Sequence, residues 1–165
     1  MDQMFDVIGQ TLSFLMLLVI VYFTYTIANI LVTIFRTKKL DSSLNFCFNT
    51  AGKVFYGALT TLYVAAVIGS IYFIIAGLFG NNYHWYANAV NVWAFMSVVF
   101  SYFLASLVLI GKKNLMIGRM VVDYRKLKKV NYSYEHKVSF VYAQSEYSFS
   151  TRFVDLTLLR KKISI

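Results

Sequence analysis

Read as apolar against charged positions, the chain falls into three blocks. No Asp, Glu, Lys or Arg occurs from Val7 to Phe35 or from Val54 to Gly111, and the second run holds one histidine, His84. At about 1.5 Å per residue the first run exceeds the ~30 Å hydrocarbon core of a bilayer, which predicts a tilted or protruding membrane helix over 7–35. The second run is long enough for two spans. The stretch Gly80-Asn81-Asn82-Tyr83-His84-Trp85-Tyr86-Ala87-Asn88 joins helix breakers to aromatic residues, the composition of a turn at a membrane–water interface. It divides the run into spans over about 54–79 and 90–110. Between the first two spans lies a short connection, Leu40–Lys53, in which Asp41-Ser42-Ser43 supplies helix-capping residues and Ala51-Gly52 reads as a turn.

From Lys112 the pattern changes period. Alternating β-branched and aromatic segments cover Leu115–Val122, Val130–Tyr134, Val138–Tyr142 and Tyr147–Thr151, a meander of about four strands. Phe153, Leu156, Leu159 and Ile163 then return to helical spacing, with Arg160, Lys161 and Lys162 in the last turn. The expected fold is therefore a membrane α-helical domain of three transmembrane helices over 1–111, followed by a small β-rich α+β tail over 112–165. A unit as short as this tail is near the lower limit for an independent core, so it is expected to lean on the membrane, the spans or a partner.

Charge sets the orientation. All sixteen Lys and Arg residues fall at Arg36–Lys39, at Lys53 or from Lys112 onward, whereas Met1–Asp6 and the turn near Gly80 have none. The positive-inside rule then predicts an outside N-terminus and a cytoplasmic C-terminal domain. An acidic start (Asp2, Asp6) and a long apolar run do not match a cleaved signal, so the first helix reads as a permanent anchor. With 59% hydrophobic and 14% charged residues, the net charge of +9 reports topology and contact with anionic headgroups, not nucleic acid. Richness in Lys, Asn, Tyr and Phe without proline matches an AT-rich bacterium, which places the chain in a bacterial plasma membrane. The absence of proline also removes proline kinks as hinges.

Within the spans, small residues recur at four-residue spacing: Gly57, Thr61, Ala65 and Gly69 in the second, and Ser97, Ser101 and Ala105 in the third. Such ridges let helices approach closely, either as an intramolecular hairpin seam or as a seam for another subunit. Asn29 in the first span is costly in hydrocarbon and is expected to face a helix or the interface.

No catalytic constellation accompanies this topology. His84 and His136 are expected on opposite sides of the membrane, and Cys47 is the single cysteine, so neither a metal site, a disulfide nor a Cys-His pair is expected. None of the seven acids lies inside a span, and no phosphate-cradling glycine loop occurs. The chain is expected to be no enzyme and to need no cofactor.

The string Gly118-Arg119-Met120-Val121-Val122-Asp123-Tyr124-Arg125-Lys126-Leu127-Lys128-Lys129-Val130 resembles the recurring core of small bacterial PH-like domains attached to membrane helices. Tyr124, Leu127 and Val130 match their basic-hydrophobic connector, and Phe149 with Phe153–Ile163 matches their finish. The resemblance covers about the C-terminal third and implies a non-catalytic recognition or assembly module. The resulting expectation is an accessory or assembly subunit. Its spans dock another membrane protein or a second copy, and its cytoplasmic domain docks a partner or anionic lipid through Arg125, Lys126, Lys128 and Lys129. A bacteriocin or peptide immunity protein is one alternative; an oligomeric channel or small-solute pathway lined by Asn29, Thr33, Ser97 and Ser101 is another.

Overall fold

The computed structural model describes residues 2–80, 82–133 and 136–163. Three helices are long and apolar enough to cross a membrane: α1 (Asp2–Leu40), α2 (Thr50–Phe79) and α3 (Tyr83–Ala105). Their outward faces carry Val21, Tyr25, Phe35, Leu62, Ile68, Tyr72, Phe95 and Tyr102, all well exposed. In water a surface this apolar would aggregate; in lipid it is matched by its solvent. The molecule is a membrane protein by this criterion. The rest of the chain forms β1 (Asn45–Phe46), β2 (Val108–Ile110), β3 (Asn114–Ile117), β4 (Met120–Asp123), a 3-10 turn at Tyr124–Lys126, β5 (Lys128–Ser133), β6 (Lys137–Tyr142), β7 (Ser145–Ser150) and α4 (Leu156–Ile163).

Two compact units form, Met1–Ala28 with Ala58–Tyr102, and Asn29–Gly57 with Phe103–Ile165. In the first, Val90 and Ala94 of α3 pack with Ile20 of α1, and Tyr63 of α2 stacks on Phe100 of α3 at 4.3 Å between ring centroids. The α2–α3 turn is tighter than the expected Gly80–Asn88 segment. Asn82 caps α3 by accepting from the Trp85 amide (3.4 Å), and its own amide donates to the Gly77 carbonyl (2.9 Å). The aromatic cluster Tyr83–Tyr86 is therefore the first turn of α3 and no part of the loop.

The second unit holds two antiparallel sheets, ordered β1-β2-β3-β4 and β5-β6-β7, with α4 after them. Cys47, Val108, Ile110, Leu115, Val122, Val138, Phe140, Phe149, Val154 and Leu159 make one apolar core among them. The boundaries differ from the sequence expectation in three ways. The expected third span over 90–110 ends at Ala105, because Val108–Ile110 pairs with β3 as a fully buried strand. An apolar run of this kind reads identically as membrane helix or as buried strand. The expected single strand Leu115–Val122 is a hairpin, broken at Gly118-Arg119, where Gly118 takes φ +56°. Finally, the sheet does not begin at 112: it is completed by β2 and by β1, a strand taken from the connection between α1 and α2.

Candidate functional site

The connection between α1 and α2 is bonded into the second unit on two sides. Asp41 does not cap a helix as expected. Its carboxylate accepts from the Ser43 amide (3.1 Å), the Ser43 hydroxyl (2.5 Å) and the Lys113 amide (3.4 Å), while the Lys112 amide donates to the Ser43 hydroxyl (2.7 Å). These bonds tie the segment just before β1 to the β2–β3 turn. The Ser43 hydroxyl bond is the main reason the Asp41 carboxyl stays below the usual carboxylate range. A cap for α2 comes instead from Asn49, whose side-chain oxygen accepts from the Gly52 amide at 2.6 Å.

On its other side the same connection meets the C-terminal segment. Phe48 bridges Val154, the Asn49 amide donates to the Phe153 carbonyl (3.2 Å), and the Asp155 amide donates to the Cys47 carbonyl (3.2 Å). Asp155 then caps α4, accepting from the amides of Thr157 (3.0 Å) and Leu158 (3.3 Å) and from the Thr157 hydroxyl. The Thr157 hydroxyl bond leads the effects that lower its pKa. Cys47 is buried, its thiol donates to the Asp155 carbonyl (3.4 Å), and burial pushes its pKa up to about 11. A thiol so held is protonated at neutral pH and is no nucleophile. Among the described residues no cluster of His, Cys, Asp or Glu could hold a metal ion.

Between β1, the β2–β3 turn and α4 lies a groove of about 340 Å³, floored by Cys47 and Ile110. Phe46 and Leu158, each about half exposed, stand at its edges together with Lys112, Lys161 and Lys162. An apolar floor with a cationic rim suits an amphipathic anion, since the floor takes carbon and the ammonium groups take the charge. The site is not legible in the sequence: Lys161 and Lys162 read as ordinary C-terminal helix charges, and nothing local announces that α4 packs beside β1.

The residues singled out from the sequence are distributed differently. Arg125 and Lys126 lie on the 3-10 turn, Lys128 and Lys129 open β5, and all four side chains are exposed. Asp123 holds this connector by accepting from the Arg125 amide (2.9 Å), and Tyr124, Leu127 and Val130 pack against the core. Burial raises the pKa of the Tyr124 hydroxyl, which donates to the Gly111 carbonyl.

Of the small-residue positions, Ser97 and Ser101 are buried, whereas Gly57, Thr61, Ala65 and Ala105 are exposed and Gly69 is half-buried. A Cβ added at Gly57 or Gly69 would meet nothing within 4 Å. Neither glycine is therefore in close contact with a neighbouring helix, whereas the Tyr63–Phe100 stack joins α2 to α3. The close glycine approach of α2 to α3 is at Gly77 instead, where a Cβ would stand 2.9 Å from the Tyr86 amide nitrogen. Asn29 and Thr33 belong to the second unit and Ser97 and Ser101 to the first. The Thr33 hydroxyl donates to the Asn29 carbonyl and that of Ser101 to the Val98 carbonyl, each on its own helix. Comparison with protein-family models, curated proteins and solved structures finds no match to this chain.

Proposed function

We propose that this chain is a non-enzymatic accessory or assembly subunit of a bacterial plasma membrane, oriented with its N-terminus outside and its second unit in the cytoplasm. Its spans dock a membrane protein, and a cytoplasmic PH-like domain docks a partner or anionic lipid. The orientation rests on the placement of the sixteen Lys and Arg residues. Support for the PH-like reading is the sheet layout, four strands and three strands followed by a helix.

The observation that carries the docking reading is the outward-facing line Gly57-Thr61-Ala65 of α2. Small side chains leave backbone accessible at a surface otherwise built of large apolar groups, with open space where a Cβ at Gly57 would stand. In a bilayer such a surface favours close packing by a second helix. The full chain, tagged and extracted in mild detergent, should emerge with one stoichiometric membrane-protein partner. Thr61→Leu with Ala65→Leu should release that partner without changing the thermal stability of the chain. Replacing Arg125, Lys126, Lys128 and Lys129 by Gln should weaken a cytoplasmic contact in a salt-dependent way, since exposed charges are screened over about 8 Å at physiological ionic strength. A wild-type extract that is monomeric and partner-free would overturn the accessory-subunit reading.

A further inference from the structure

The geometry points to the groove between β1 and α4 as a binding site for the headgroup of an anionic phospholipid, with Lys112, Lys161 and Lys162 on the phosphate and Phe46 and Leu158 on the adjoining carbon. This deepens the lipid-docking part of the proposed function and rests on it, but assigns a site other than the basic connector.

Position comes first. Phe46 lies in the connection between two helices that are each long enough to cross a membrane, α1 ending at Leu40 and α2 starting at Thr50. The charge-free runs stop at Phe35 and resume at Val54, with Arg36, Lys38, Lys39 and Lys53 marking the membrane boundary, so β1 lies within about a dozen residues of that boundary on either side. The lipid headgroup layer is the ligand present at that place.

Charge comes second. Lys112 on the β2–β3 turn and Lys161 and Lys162 on α4 converge on a single cavity of about 340 Å³. The carboxylates nearest in the chain are otherwise engaged. Asp41 is held by Ser43 and the Lys113 amide, and Asp155 by Thr157 and Leu158. Lys113 acts on the Asp41 carboxylate and Lys53 on that of Asp155. Neither Asp41 nor Asp155 is among the residues lining the groove, so among the described residues its lining carries three lysines and no acid.

Apolar contact comes third. Phe46 and Leu158 are 50% and 52% exposed beside those lysines, an arrangement that is unfavourable in water. It becomes favourable when the phenyl and isobutyl groups enter the interfacial layer while the ammonium groups hold phosphate. An inorganic anion would use the lysines and leave both apolar groups unsatisfied, so the lipid is the occupant that uses the whole site.

The test uses the full chain in neutral detergent, with bound lipid read by native mass spectrometry after addition of phosphatidylglycerol, phosphatidylcholine or inorganic phosphate. Wild type should retain one phosphatidylglycerol at least about tenfold more strongly than phosphatidylcholine, since each basic group near an anionic headgroup adds a favourable increment. Lys112→Gln/Lys161→Gln/Lys162→Gln should abolish that preference, and Phe46→Ser should weaken retention of both lipids. Arg125→Gln/Lys126→Gln/Lys128→Gln/Lys129→Gln should retain phosphatidylglycerol as wild type does, and so should Lys161→Arg/Lys162→Arg, which keeps the charge. Equal retention of the two lipids by wild type would overturn the proposal. So would undiminished preference in the triple Gln variant, loss of lipid in the connector variant, or displacement by inorganic phosphate. Because the lipid is read on the isolated chain, failure to find a membrane-protein partner would leave this result standing, and the reverse also holds.

Discussion

Gly118 offers the sharpest test of how the β3–β4 hairpin is seated. Its φ of +56° lies in the left-handed region, and a Cβ built there would stand 2.2 Å from the Ala105 carbonyl oxygen and 3.0 Å from its carbon. These are backbone atoms at the end of α3, which cannot swing aside as a side chain would. The Gly118 amide also donates to the Leu107 carbonyl at 2.8 Å, so the hairpin cannot move off without losing that bond. Gly118→Ala then meets two penalties: about 1–2 kcal/mol for an L-residue in this conformation, and about 1–3 kcal/mol for forcing the backbones apart. Together they come to roughly 2–5 kcal/mol. For a chain of this size each kcal/mol shifts the melting temperature by about 2–4 °C, so a loss on the order of 10 °C is expected. The control is Gly57→Ala, where nothing lies within 4 Å and the residue sits in a helix, so stability should rise slightly, by up to about 1 kcal/mol. Thermal unfolding in detergent, followed by the fluorescence of Trp85 and Trp93, measures both. If Gly118→Ala melts with wild type, the hairpin is not held against the end of α3.

Asp41→Asn should destabilise the second unit at neutral pH. The folded carboxyl titrates below its ordinary 3.8, so its contribution is complete above that value and is lost as pH falls through the lower, folded value. Chemical unfolding of the two proteins should differ at pH 6 and converge in strong acid; a gap independent of pH would refute the role of the charge. Cys47 should resist iodoacetamide in the native protein at pH 8 and react fully in denaturant, because it is buried and its pKa is raised to about 11; rapid native labelling would place the connection outside the core. For the proposed orientation, Gln3→Cys and Ser145→Cys are made separately in a Cys47→Ala background and treated with an impermeant thiol reagent on intact cells. Labelling at position 3 alone is expected, and labelling at 145 alone would invert the topology.

The membrane part was legible because hydrocarbon imposes a long, local and simple pattern. Charge-free runs ending at Arg36 and beginning after Lys53 suffice to mark α1 and α2, whatever those helices later touch. The tail's strands over 128–150 were legible for a related reason, since alternation and turn residues are also local. Three features were decided only in the folded chain. Val108–Ile110 is as apolar as the span before it, and its strand state depends on pairing with Leu115–Ile117 across the Gly111–Lys113 turn. Asn45-Phe46 has no strand pattern of its own and is ordered by Leu109 and Ile110, which are far away in sequence. The basic groove needs both decisions, because Lys112 reaches Lys161 and Lys162 only after β1 has joined the sheet and Asp155 has met Cys47. Non-local pairing of this kind leaves no periodic trace: each partner satisfies its hydrogen bonds with a residue whose identity the neighbouring sequence does not encode.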